Sequence, residues 1–134
     1  MGFRWDHVAI NVRDAERSKQ LYCGILGCRP FFETVLDLPD ISRIVFLEKD
    51  ASRIELVEMR SGADATVPAS AVTGLAHLCF DVDDMDEGVQ RLSAAGLKVV
   101  LAPMYGKVKV PSEENWRRTV FRGLDGELIE LRGP

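Results

Sequence analysis

Two stretches of the chain repeat one pattern. His7-Val-Ala-Ile-Asn-Val-Arg-Asp14 and His77-Leu-Cys-Phe-Asp-Val-Asp-Asp84 each open on histidine, alternate apolar residues, and close on aspartate at the eighth position. A second pair follows in the same order: Asp50-Ala-Ser-Arg-Ile-Glu55-Leu56 and Asp125-Gly-Glu-Leu-Ile-Glu130-Leu131. The histidines are offset by 70 residues and the glutamates by 75. A repeat of this length means one supersecondary unit used twice, so the fold of one half dictates that of the other. The chain of 134 residues reads as a single domain, 1–134, with module one at about 4–60, a linker at about 61–74 rich in small residues, and module two at about 74–134.

Each half has the same expected plan. A strand carries the histidine (about 4–12 and 75–82), and a helix starts at Asp14 and at Asp84. Aspartate suits a helix N-cap because its carboxylate accepts from backbone N–H groups that have no partner within the helix. The helices are expected to stop at Gly27 and Gly96, since glycine accepts the left-handed conformation that ends many helices. Three strands complete each half, at about 30–36, 42–48 and 53–59, then 97–102, 117–122 and 127–132. Lys49–Ser52 and Gly123–Gly126 read as hairpin turns.

Side chains alternate across a strand, so parity sorts them into faces. Val8, Ile10 and Val12 oppose His7, Ala9 and Asn11; Leu78, Phe80 and Val82 oppose His77, Cys79 and Asp81. Ile54 and Leu56 oppose Glu55, and Ile129 and Leu131 oppose Glu130. The apolar faces are expected to pack on the helices, leaving two histidines and two glutamates on the other side. They are the only histidines in the chain, and both occupy equivalent repeat positions. Singly, each residue reads as an ordinary strand residue. Together they form a donor set, because two clustered carboxylates repel each other unless a cation joins them. Imidazole and carboxylate suit one divalent Zn, Ni, Co, Mn or Fe. The expected metal ligands are therefore His7, Glu55, His77 and Glu130.

A net charge of -4 and a sequence pI near 5.2 give no general electrostatic attraction to nucleic acid or an anionic membrane. The first residues lack the basic-then-apolar pattern of a leader, and no apolar run reaches membrane-spanning length. Cys23, Cys28 and Cys79 are odd in number and lack zinc-site spacing, so they are expected to be reduced and mostly buried, in a cytoplasmic protein.

At these residues the sequence resembles the vicinal-oxygen-chelate superfamily of glyoxalases, epimerases, extradiol dioxygenases and bleomycin-resistance proteins. The resemblance is carried by Asp6–Asp14, Arg17-Ser18, Tyr22, Leu26-Gly27, Ile54-Glu55-Leu56, Gly74–His77, Val82–Asp84, Ala95-Gly96, Asp125-Gly126 and Ile129-Glu130-Leu131. It implies an α+β fold of two tandem βαβββ modules forming an eight-stranded incomplete barrel, within a homodimer. The ligand pattern is closest to glyoxalase I and methylmalonyl-CoA epimerase. It implies a metal-dependent lyase or isomerase acting on a small molecule with two neighbouring oxygens, by proton abstraction beside a carbonyl and stabilisation of the enediolate. Glu130 is the expected base, with Glu55 able to serve on the opposite side. Two other classes stay open: an iron(II) extradiol-type dioxygenase, and a non-catalytic protein that binds a drug or metabolite. Asn11 and Met59 stand where glyoxalase I uses other residues to hold glutathione, which argues against a glutathione adduct.

The segment 103–118 mixes basic and aromatic residues and is expected to border the pocket mouth. Lys107, Trp116 and Arg118, with Lys109 and, on the first strand, Asn11, are the candidate contacts to an anionic substrate. The competing reading is a solvated loop with Trp116 packed on a dimer partner.

Overall fold

The computed structural model describes residues 6–39, 41–60, 75, 77–106 and 110–134. The expected linker and the first residues of module one lie outside them. The chain divides into two compact units, Met1–Asp64 and Ala65–Pro134.

In the first unit β1 (Val8–Val12) leads into α1 (Ala15–Gly24), then β2 (Arg29–Val35), β3 (Ile41–Lys49) and β4 (Ser52–Met59). The sheet order is β1-β4-β3-β2. The outer pair β1 and β4 is parallel, whereas β2–β3 and β3–β4 are antiparallel. The second unit repeats this with β5 (Leu78–Asp81), α2 (Met85–Ala94), β6 (Lys98–Tyr105), β7 (Arg117–Arg122) and β8 (Leu128–Gly133), in the order β5-β8-β7-β6. Among the described residues these are eight strands in two four-stranded sheets with one helix each, the expected βαβββ plan twice over.

The apolar faces go where parity sends them. Ile54, Leu56, Val45 and Leu47 are buried in the first unit with Leu21 and Tyr22 of α1. In the second, Phe121, Ile129 and Leu131 are buried with Met85 and Leu92 of α2. Full burial of each such side chain contributes roughly 1.5–3 kcal/mol. Asp14 and Asp84 are N-caps, their carboxylates accepting from the backbone N–H of Arg17 and Glu87. The α2 end is a Schellman turn around Gly96 at φ 88, with the Leu97 N–H on the Leu92 carbonyl and the Gly96 N–H on that of Ser93. Helix α1 ends earlier than Gly27, at Gly24; a wider turn follows, in which Leu26 N–H bonds Leu21 O and Cys28 N–H bonds Tyr22 O before Gly27 turns at φ 75.

The Lys49–Ser52 turn is a two-residue hairpin, Lys49 pairing with Ser52 and Asp50 taking φ 54. Strand β6 runs three residues further than expected because register shifts between Val99 and Met104 absorb extra residues and keep it paired with β7. This shortens the segment expected to border the pocket mouth at 103–118, since Pro103–Tyr105 belong to β6, while Arg117 and Arg118 begin β7 as the strand expected at 117–122 has them. Among the described residues no helix is long and apolar enough to cross a membrane.

The halves start their helices differently. In the first, the Glu58 carboxylate accepts from Ala15 N–H at 2.8 Å. The equivalent position in the second is Gly133, and there the carbonyl of Pro134 accepts from Met85 N–H at 3.0 Å. A β-carbon at Gly133 would run into the backbone carbonyl of Val82. Gly133→Ala should therefore destabilise the protein by about 1–3 kcal/mol, the usual cost of overpacking. Thermal unfolding checks this: the midpoint should fall by several degrees, and an unchanged midpoint would show that the close approach is unimportant.

Candidate metal centre

The strand register creates the site geometry. Strand β1 is parallel to β4 with Ala9 opposite Glu55, and β5 is parallel to β8 with Cys79 opposite Glu130. Each histidine stands one residue before its strand and on the parity of the residue facing the glutamate. Each half thus brings one imidazole to one carboxylate, as parity anticipated.

In the first half, His7 Nε2 lies 3.5 Å from Glu55 Oε2. The other ring nitrogen, Nδ1, is 2.6 Å from Asp6 Oδ2. An ionised carboxylate only accepts, so Nδ1 carries a proton toward Asp6 and Nε2 is the nitrogen turned to Glu55. This carboxylate–imidazole arrangement is how metal-binding histidines are usually oriented. Asp6 is held below its ordinary value of 3.8, chiefly by the hydrogen bond with His7; slight desolvation opposes this and the charge of Arg53 reinforces it. The edge of the His7 ring meets Phe46 at 5.4 Å between centroids. Two ligands of one ion, each about 2.1 Å from it, stand about 3.0–3.4 Å apart. The His7–Glu55 gap, at 3.5 Å, is just wider than that spacing.

In the second half, His77 Nε2 lies 2.7 Å from Glu130 Oε2, an ion-pair contact too close for two ligands of an ion. This pair must open slightly to accept a metal. Glu130 is the more deeply set carboxylate, its side chain 7% exposed against 17% for Glu55. Its second oxygen, Oε1, accepts from Arg118 Nε at 3.0 Å. Cys79 is pushed up to about 11 by burial of its sulfur and then by the charges of Glu130 and Asp81, so its thiol is neutral at physiological pH. All three cysteines are free, but only Cys28 is buried; Cys23 is half-buried and Cys79 exposed, against the expectation of mostly buried thiols.

The expected substrate contacts fare unevenly. Asn11 is exposed on β1, on the His7 parity. Lys107 and Lys109 lie outside the described residues. Trp116 is half-buried and packs within its own unit, beneath the Arg132 guanidinium at 5.5 Å. Arg118 is on β7, within the strand expected at 117–122, and is engaged with Glu130. Sequence reasoning missed that ion pair, which comes from the β7–β8 register, and it missed the role of Asp6, whose adjacency to His7 was visible. Among the described residues, no three of His, Cys, Asp and Glu gather as a metal-binding group. Each half by itself offers two donors.

The chain belongs to the glyoxalase/bleomycin resistance protein/dioxygenase superfamily, whose family model matches residues 6–112. It is 30% identical over 125 residues to the uncharacterized protein YaeR of Escherichia coli (strain K12), covering 93% of this chain and 92% of YaeR. The structure resembles that of a glyoxalase family protein from Enterococcus faecalis, with TM-score 0.75 and 22% identity over 96% of both chains. It also resembles the fosfomycin resistance protein FosX from Listeria monocytogenes, solved with Mn(II) and 1S,2S-dihydroxypropylphosphonic acid, with TM-score 0.71 and 19% identity over 98% of this chain and 90% of that one. These likenesses establish the fold.

Asp6→Ala in the metal-free protein should release the His7 tautomer, giving a mixture of Nδ1–H and Nε2–H forms by 15N NMR at neutral pH. An unchanged Nδ1–H form would show that Asp6 does not set it. The pH dependence has a defined sign. A lowered carboxyl pKa makes the Asp6–His7 contribution fully present above the unfolded-state value, near 3.8, and lost only as pH falls through the lowered folded-state value.

Proposed function

We propose that His7, Glu55, His77 and Glu130 hold one divalent ion, drawn from Zn, Ni, Co, Mn or Fe, and that the protein is a metal-dependent lyase or isomerase. Its substrate is a small molecule with two neighbouring oxygens. The observation that carries this reading is the repeated His–Glu pair, set by the same strand register in both halves. One pair alone provides too few protein ligands for a firmly held ion, whereas two pairs provide four. FosX, a structural relative, was solved with Mn(II), which adds support for a divalent metal.

When bound, the ion supplies Lewis acidity, polarising a substrate carbonyl so that the adjacent carbon loses its proton more readily. The chain supplies the proton traffic. Symmetry alone favoured neither carboxylate strongly, and Glu130 was the expected base. The surroundings point the other way. Both Glu130 oxygens are engaged, one by Arg118 and one by His77, which suits a fixed ligand. Glu55 has the longer 3.5 Å approach of His7 and the Phe46 residue opposite it in register, which leaves its carboxylate freer to move. Glu55 takes the proton from carbon and returns it to the neighbouring position or to the other face. Glu130 stays in place.

Wild-type protein, purified without chelator, should contain about one first-row metal per chain by elemental analysis. Glu55→Gln should retain metal yet slow solvent-deuterium exchange into an α-hydroxyketone by roughly 100-fold or more, the range of a lost general base. Glu130→Gln should instead lose metal. Full exchange in metal-loaded Glu55→Gln would remove Glu55 from the role. Oxygen uptake with a catechol would favour the dioxygenase reading instead.

A further inference from the structure

We infer that Arg118 is a positioning residue for Glu130, fixing which carboxylate oxygen faces His77 and so making the two halves of the centre unequal. The assignment rests on register. Strand β7 pairs with β8 so that Val120 stands opposite Glu130 and Arg118 opposite Arg132. Arg118 is therefore the diagonal neighbour of Glu130 on the same sheet face, within reach of a long side chain. Its Nε–H meets Oε1 at 3.0 Å while His77 meets Oε2 at 2.7 Å. A guanidinium donor on one oxygen and an imidazole contact on the other hold the last torsion of this buried carboxylate. A planar guanidinium does this better than an ammonium, because its N–H vectors are rigid.

Among the described residues of the first half, Glu55 has no such guanidinium contact. The residue equivalent to Arg118 is Ile44, and Phe46 stands directly opposite Glu55. The duplicated halves have thus diverged at one register position, two residues before the one facing each glutamate. The only charged residue at that position is Arg118. Arg132 is occupied elsewhere, by Glu113 and the Trp116 ring, and does not substitute for it.

For its metal readout this inference rests on the proposed metal centre; a second readout does not. In metal-free protein, Arg118→Ala should shift the imidazole NMR signals of His77 and leave those of His7 in place. In Co(II) titrations, Arg118→Ala should raise the dissociation constant roughly 10- to 100-fold, as loss of a residue orienting a ligand does. It should also change the Co(II) visible absorption band. Arg118→Lys, which keeps charge and stem and protects the fold, should show a smaller loss in the same direction. In a Glu130→Gln background Arg118→Ala should add less than about twofold, because a residue acting through Glu130 has nothing left to orient. An equal loss in that background, or unchanged His77 signals, would overturn the assignment. Failure of wild-type protein to take up Co(II) would count against the metal centre, while the His77 signals would still decide the role of Arg118.

Discussion

Both His–Glu pairs depend on the parallel pairing that joins the first and last strands of each half. A histidine one residue before β1 or β5 has no intrinsic reason to meet a glutamate some fifty residues later. The register Ala9–Glu55 and Cys79–Glu130 supplies it. A one-residue slip in either pairing would turn the glutamate toward the helix and bury it among Leu21 and Tyr22, or Met85 and Leu92. Burying an unpaired carboxylate there is costly enough that the hydrophobic pattern and the donor pattern enforce the same register. The fold and the candidate centre are thus two consequences of one alternation.

Duplication sets the donors in equivalent places, and later divergence gives them different tasks. Asp6 precedes His7, whereas Ala76 precedes His77, so only the first imidazole has a carboxylate from the preceding residue to meet its Nδ1. Arg118 reaches Glu130, whereas Ile44 leaves Glu55 without a guanidinium. One half therefore has an oriented imidazole and a less constrained carboxylate, and the other a carboxylate held at both oxygens. Such a division suits a proton-transfer centre, since a less tightly held ligand carboxylate can carry a proton while an anchored one keeps the ion in place.

Much of this was legible in the sequence. The repeat gave the two βαβββ modules, alternation gave the faces, and Asp14, Asp84 and Gly96 marked helix ends by chemistry that acts within a few residues. What stayed hidden depends on non-local register. The strand expected at 117–122 is β7, Arg117–Arg122, but strand position alone does not say which residue of β8 Arg118 meets; its diagonal contact with Glu130 appears only once β7 is aligned with β8. The length of β6 was underestimated for a related reason, since its irregular pairing breaks the simple alternation between Val99 and Met104. Trp116 was expected to touch an anionic substrate or a dimer partner, whereas the group it meets, the Arg132 guanidinium, lies on β8 of its own unit.

The central claim is that both pairs serve the same ion. X-ray absorption on the Co(II)- or Mn(II)-loaded protein counts imidazoles per metal directly. The account predicts two imidazoles per ion with oxygen ligands completing the shell, falling to one in both His7→Ala and His77→Ala. One imidazole per ion in the wild-type protein would contradict it, because each His–Glu pair would then be acting alone.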